Sequence, residues 1–82
     1  MIKEGTVMDI NGRRGAVIAT LTYENGNFIN VKYPESEDDF YIYMVTPVED
    51  GFKLEKVIDE EKLTILMIEF SKKIAKELGF NE

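Results

Sequence analysis

The stretch Arg14–Tyr33, RGAVIATLTYENGNFINVKY, carries the clearest indication of fold in this chain of 82 residues. Two runs rich in β-branched and aromatic side chains, Arg14–Tyr23 and Phe28–Tyr33, flank the dipeptide Asn25-Gly26. Asn-Gly readily takes the positive φ angles that a two-residue hairpin turn requires. The stretch therefore predicts a β-hairpin.

Turn signals of the same kind occur on both sides of this hairpin, at Asn11-Gly12 and Asp50-Gly51. They separate three further predicted strands: Thr6–Ile10, Phe40–Val48 and Phe52–Val57. The segment Pro34–Asp39 is the one longer loop in this prediction. Consecutive strands joined by short turns pair antiparallel, so we expect a meander of four to five strands.

The pattern changes to that of a helix after Val57. Asp59 is a good N-cap, acidic side chains follow it in the first turn, and Gly79 suits the position after a helix end. We expect a helix over Glu60–Leu78, packed on one face of the sheet by a stripe of six apolar residues: Leu63, Leu66, Met67, Phe70, Ile74 and Leu78. The predicted fold is α+β, in a single domain over residues 1–82.

Alternation along the strands predicts which side chains share a sheet face. Four residues of the second strand form one apolar set: Val17, Ala19, Leu21 and Tyr23. In the strand after the loop, Tyr41, Tyr43 and Val45 fall on the face that the helix does not cover. We interpret these three residues as a contact surface for a partner. Ile65 and Ile68, which lie off the helix stripe, allow the same interpretation, and in both cases ordinary surface exposure is the alternative.

The loop between the third and fourth strands is strongly acidic: it contains Glu35, Glu37, Asp38 and Asp39. Counted from Glu35, the sixth and twelfth positions are Phe40 and Thr46, where an EF-hand requires Gly and Glu, so that calcium motif is excluded. Three interpretations stay open. The loop is a solvated connection, it guides the approach of a basic partner, or it is a weak divalent-ion site.

Composition limits the classes of function. Sixteen acidic and ten basic residues give a net charge of −6, which repels nucleic acid and anionic membranes and attracts a basic protein. The same charge also serves solubility. Because acidic runs recur along the chain, an inhibitor that imitates nucleic acid against a nucleic-acid-handling enzyme is an alternative function.

Catalytic chemistry has little support in the composition. The chain has no His and no Cys, so the usual general base near neutral pH and the thiolate nucleophile are both missing. We therefore expect no enzyme activity, no catalytic residues, no metal site and no cofactor. With no disulfide and no apolar run of about 20 residues, the expected location is the cytoplasm.

Several segments carry a resemblance to a known family: Val17–Glu24, Val31–Asp39, Thr46–Gly51 and the acidic helix start Asp59–Glu61. With these, residues Thr6 to Leu78 resemble the YrzB-like domain of unknown function, a family of small acidic bacterial proteins. The resemblance implies a small cytosolic protein with no assigned activity, and it brings no functional residues. The function predicted from the sequence is a non-enzymatic, acidic, protein-binding or regulatory module. A structural homodimer is a further alternative.

Overall fold

The computed structural model describes residues 2–35 and 40–79. It has five strands and one helix: β1 (Val7–Ile10), β2 (Arg13–Tyr23), β3 (Gly26–Lys32), β4 (Phe40–Val48), β5 (Gly51–Lys56) and α1 (Glu60–Glu77). The strands form one antiparallel sheet in the order β1-β2-β3-β4-β5. The predicted α+β class, the antiparallel meander and the C-terminal helix are confirmed.

Two of the three predicted turns are shifted by one residue. The β1–β2 turn is Asn11-Gly12, both at positive φ, as expected. The β2–β3 turn is instead Glu24-Asn25, with Gly26 as the first residue of β3 opposite Tyr23. Gly26 is used for close packing, because a Cβ there would lie 2.9 Å from the Phe28 ring. Likewise, Gly51 pairs with Val48 and starts β5, so Glu49-Asp50 forms the β4–β5 loop.

A β-bulge at Ile18 divides β2 into two segments. Val17 pairs with Val31 and Ala19 pairs with Asn30, so one extra residue is inserted between two consecutive pairs. The bulge moves the following side chains to the opposite face. The prediction that Val17 shares a face with Ala19, Leu21 and Tyr23 is therefore wrong: Val17 belongs to one core and Ala19 to the other.

The sheet has an apolar core on each of its faces. On the face opposite α1, eight buried side chains from the N-terminal segment, the first four strands and the residue after β3 pack together: Ile2, Ile10, Val17, Ile29, Val31, Tyr33, Tyr43 and Val45. Ile2 and β1 reach the side chains of β4 because the sheet is curled. Twist and the bulge supply this curvature. The face that we expected to be open is therefore the concave interior of the sheet.

The helix covers the other face over part of its length. Asp59 caps its start, with Oδ2 accepting a hydrogen bond from the backbone N–H of Lys62 at 3.0 Å, and Gly79 follows its end at φ +89°. Leu66 and Phe70 are buried against Ala19, Phe28 and Ile42, and Leu63 is half-buried. The Lys73 ammonium donates to the carbonyl of Thr20, which ties the last turns of α1 to β2.

The buried stripe of α1 is narrower than the sequence predicts. Met67, Ile74 and Leu78 retain 55%, 40% and 67% of their accessible surface. The predicted six-residue stripe is therefore buried at Leu66 and Phe70, whereas the prediction that it also covers the sheet through these three residues is wrong. One helix lying across a curved sheet touches it along a single line, so side chains to either side of that line stay accessible.

The Gly15→Ala substitution should destabilise the fold. A Cβ at this position would lie 2.6 Å from Val31 Cγ1 and 2.9 Å from Tyr33 Cε1, and both side chains are held in a closely packed core. We expect the free energy of unfolding to fall by about 1–3 kcal/mol, measured by urea denaturation. In a Val31→Ala background the loss should be smaller, because the clashing methyl group is absent. An equal loss in both backgrounds would contradict this packing argument.

Candidate functional site

The residues predicted to contact a partner do not form one accessible surface. Tyr43 and Val45 lie on the face opposite α1, as expected, but they are only 7% and 4% exposed, inside the concave core. Tyr41 is half-buried at its margin, and Glu35 is exposed. Glu37, Asp38 and Asp39 lie outside the described residues. The expectation that Tyr43 and Val45 are available to a partner is thus wrong, because the curled sheet buries them.

Tyr41, Tyr43 and Glu35 are linked through two residues that the sequence reasoning did not select, Arg13 and Tyr33. The hydroxyl groups of Tyr33 and Tyr43 are hydrogen-bonded at 2.6 Å, and the rings of Tyr33 and Tyr41 meet edge to face with centroids 5.3 Å apart. The Arg13 guanidinium lies 4.0 Å from the Tyr33 ring centroid and forms an ion pair with Glu35 at 2.7 Å. This tyrosine cluster is internally satisfied, which indicates a structural role.

Burial changes the acid–base behaviour of Tyr43. Removal from solvent, followed by the hydrogen bond with Tyr33, raises the pKa of Tyr43 from 10.0 to about 12. Both causes favour the neutral phenol over the phenolate. The hydroxyl therefore stays protonated near neutral pH and serves as a hydrogen-bonding group.

Each of the three interpretations of the acidic loop stays a prediction. Glu35, its described member, is engaged by Arg13, and the other three acidic residues fall in the segment 36–39. Over residues 2–35 and 40–79, no three acidic side chains come close enough to hold a metal ion.

A mainly apolar groove lies between α1 and the sheet. It has a volume of about 500 Å³ and is lined by nine residues: Ile18, Asn30, Phe40, Ile42, Leu63, Met67, Phe70, Ser71 and Ile74. Ile18 and Phe40 are exposed because α1 covers Ala19 and Ile42 but does not extend over these neighbouring positions. We call this feature the helix–sheet groove.

The helix–sheet groove contains one polar side chain whose oxygen lacks a partner. Asn30 lies in β3, between Ala19 of β2 and Ile42 of β4. Its Oδ1 atom is buried and accepts no hydrogen bond within the described part of the chain. A buried amide oxygen without a donor is unfavourable, because it has lost its water without gaining a replacement. The wall of the groove therefore holds an acceptor for which the described residues supply no donor.

The helix carries a second stripe beside the groove. Thr64, Ile68, Ser71, Ala75 and Leu78 recur at alternating spacings of four and three residues, which places them in a line roughly a third of a turn from the buried stripe. Four of them are exposed and Ala75 is half-buried. We call this uncharged line the α1 seam. Together with the groove it forms one continuous, mainly apolar surface, since Met67 and Ser71 border both.

Part of this surface was visible in the sequence. Ile68 was singled out as lying off the buried stripe, and it is 50% exposed. Ile18, Phe40 and Asn30 were missed. Their accessibility depends on where the bulge falls and how far α1 extends over the sheet, and neither is encoded in local hydrophobic periodicity.

Comparison with known proteins gave no relatives: no protein family, no curated protein and no solved structure matches the chain. The resemblance to the YrzB-like family therefore stays a prediction. In the described part of the chain, no helix is both long and apolar enough to cross a membrane.

The Tyr43→Phe substitution should destabilise the protein and change its response to alkali. It leaves the buried Tyr33 hydroxyl without its partner, so we expect a loss of about 1–3 kcal/mol at neutral pH by urea denaturation. Because the folded pKa of Tyr43 is raised, its contribution to stability is complete below pH 10 and is lost as the pH rises towards 12. The difference in stability between parent and variant should therefore shrink across this window. A constant difference would contradict the assignment, and Tyr23→Phe serves as the control variant.

The Asn30→Leu substitution should not destabilise the isolated chain, although it changes a partly buried strand residue. It removes an oxygen that has no donor and adds apolar contact, so we expect a gain of about 1 kcal/mol in thermal unfolding. Asn27→Leu is the control, because Asn27 Oδ1 accepts a hydrogen bond from Thr22 Oγ1 at 3.1 Å and its loss should give no gain. A marked loss of stability in Asn30→Leu would show that the amide is already bonded.

Proposed function

We propose that this chain is a small non-enzymatic module that binds protein through the helix–sheet groove and the α1 seam. The main observation in support is that exposed large apolar side chains form a continuous surface from the sheet to the helix. Phe40 of β4 and Met67 of α1 are 52% and 55% exposed across the groove, and Ile68 continues the surface along the seam. Such continuity on a chain of this size is typical of a contact surface, whereas scattered single residues are not.

The helix itself supports this proposal. Its sheet contact needs the stripe of Leu63, Leu66 and Phe70, and a helix that only covers a sheet carries polar residues elsewhere. The α1 seam departs from that pattern at Ile68 and Leu78, which are 50% and 67% exposed. Its exposed apolar side chains gain nothing in the isolated chain, and their burial by a partner is favourable in proportion to the apolar area removed from water.

Charge is distributed in a way that favours an apolar partner surface here. The chain has sixteen acidic residues, but the nine residues lining the groove and the five of the seam include none. Charged residues at the centre of an interface are depleted because they must be desolvated. The acidic surface elsewhere then acts on the rate and direction of approach.

Asn30 gives this surface a polar specificity element. Its unpartnered oxygen in the apolar groove favours a partner that presents an N–H or O–H at that point over one that presents only hydrocarbon. A partner lacking the donor leaves the oxygen unpaired, as it is in the free chain, and binds more weakly than a partner that supplies the hydrogen bond. The stability that the free chain loses through this unpaired oxygen is then recovered in the complex.

Site-specific photo-crosslinking in cells of the native host tests the proposal. A photo-reactive phenylalanine analogue at Met67, on the wall of the groove, should give a discrete cross-linked protein product on a denaturing gel. The same analogue at Ile58, which is 77% exposed but lies before the helix and outside the groove and seam, is the matched control and should give none. Absence of a product from Met67, or equal products from both positions, would refute the proposal.

A further inference from the structure

We infer that the partner that covers the α1 seam is a second copy of this chain, packed antiparallel along the helix. This inference rests on the proposed function, because it names the occupant of the same surface. It follows from the spacing, size and charge of the residues on one exposed side of α1.

The α1 seam has the spacing of a helix-pairing seam. Alternating intervals of four and three residues keep Thr64, Ile68, Ser71, Ala75 and Leu78 facing one partner helix over four turns. Three of these side chains are small, which allows two helix backbones to approach closely. The Thr64 hydroxyl already donates to the carbonyl of Glu60 at 2.9 Å, so it can be buried without losing a hydrogen bond.

The seam is complementary to itself when the second helix runs in the opposite direction. In the register that pairs Ile68 with Ser71 of the other copy, a large side chain lies against a small one. In the same register Thr64 meets Ala75 of that copy, where two small side chains allow the helices to approach closely. In the same register Met67 lies beside Ile74 of the other copy, at the edge of the groove. A two-fold axis repeats each of these contacts, as a closed dimer requires.

Charge selects the antiparallel orientation over the parallel one. The first turn of α1 is net acidic, with Glu60 and Glu61 against Lys62, and the last two turns are net basic, with three lysines against Glu77. Parallel pairing would bring two acidic first turns together in a chain whose net charge is already −6. Antiparallel pairing places each acidic first turn near the basic end of the other helix and opposes the two helix dipoles, both of which are favourable.

The available area fits a dimer of moderate affinity. Six large apolar side chains on this side of the molecule are 40–67% exposed: Ile18, Phe40, Met67, Ile68, Ile74 and Leu78. Covering them in two copies removes on the order of 1,000 Å² from water, which is at the lower end of specific interfaces. We therefore expect dissociation constants in the micromolar range.

Sedimentation equilibrium of the purified chain tests the inference. The parent should pass from monomer to dimer mass over micromolar concentrations. Ile68→Lys should raise the dissociation constant by roughly 30-fold or more, since symmetry places two lysines in the interface. Ile58→Lys, the same change at an exposed position off the seam, should dimerise like the parent. Both variants should keep the circular dichroism of the parent.

Two results overturn the inference: a parent that stays at monomer mass throughout, and a dimer that is unaffected by Ile68→Lys. If the parent is a monomer while Met67 still cross-links to another protein, the proposed function stands and only the identity of the partner is wrong. If neither dimer nor cross-linked product is found, both fail.

The absence of cysteine from the chain allows the orientation to be tested directly. A mixture of Thr64→Cys and Ala75→Cys chains should form a heterodisulfide under mild oxidation, because these positions face each other only in the antiparallel pair. Thr64→Cys alone should form little disulfide. Preferential Thr64→Cys homodisulfide would indicate parallel packing and overturn the antiparallel arrangement.

Discussion

The structure depends on the need to bury both faces of a single sheet. Strands β3 and β4 carry apolar side chains on each side, so neither face can be left to solvent without exposing a core. One face is closed by α1 through Leu66 and Phe70. The other is closed by the sheet itself, which curls until Ile2 and Ile10 pack against Tyr43 and Val45. The bulge at Ile18 lets one strand serve both cores by changing the face to which its side chains point.

This division explains why Tyr33 and Tyr43 are buried whereas several large apolar side chains on the helix side stay accessible. In the concave core, Tyr33 and Tyr43 bury their rings and satisfy each other's hydroxyl groups, while Arg13 covers the Tyr33 ring and neutralises Glu35. A buried tyrosine pair is stable only when both polar groups are bonded. On the helix side, α1 cannot cover the curved sheet completely. Ile18, Phe40 and Met67 therefore stay accessible around the helix–sheet groove.

The residues of α1 that stabilise the fold and the residues proposed to bind a partner lie on different sides of the helix. Its buried stripe and the contact of Lys73 with Thr20 fix it to the sheet, whereas four of the five residues of the α1 seam are exposed. A small domain with this arrangement can associate without unfolding or rearranging its own core. Asn30 is a second case in which stability and binding differ. Its unpartnered oxygen lowers the stability of the free chain, and it lies where a partner can supply the missing donor.

The sequence by itself determined the α+β class, the antiparallel order of the strands and the helix with its Asp59 cap and Gly79 end. These follow from local chemistry: turn residues with positive φ, β-branched runs and side chains that satisfy helix termini. Tertiary structure alone decided which apolar residues are accessible. Whether Tyr43 is buried depends on the curl of the whole sheet, and whether Met67 is exposed depends on the line along which a straight helix meets a curved surface. Curvature is a sum of small twists and one bulge over many residues, so no short segment of the chain specifies it.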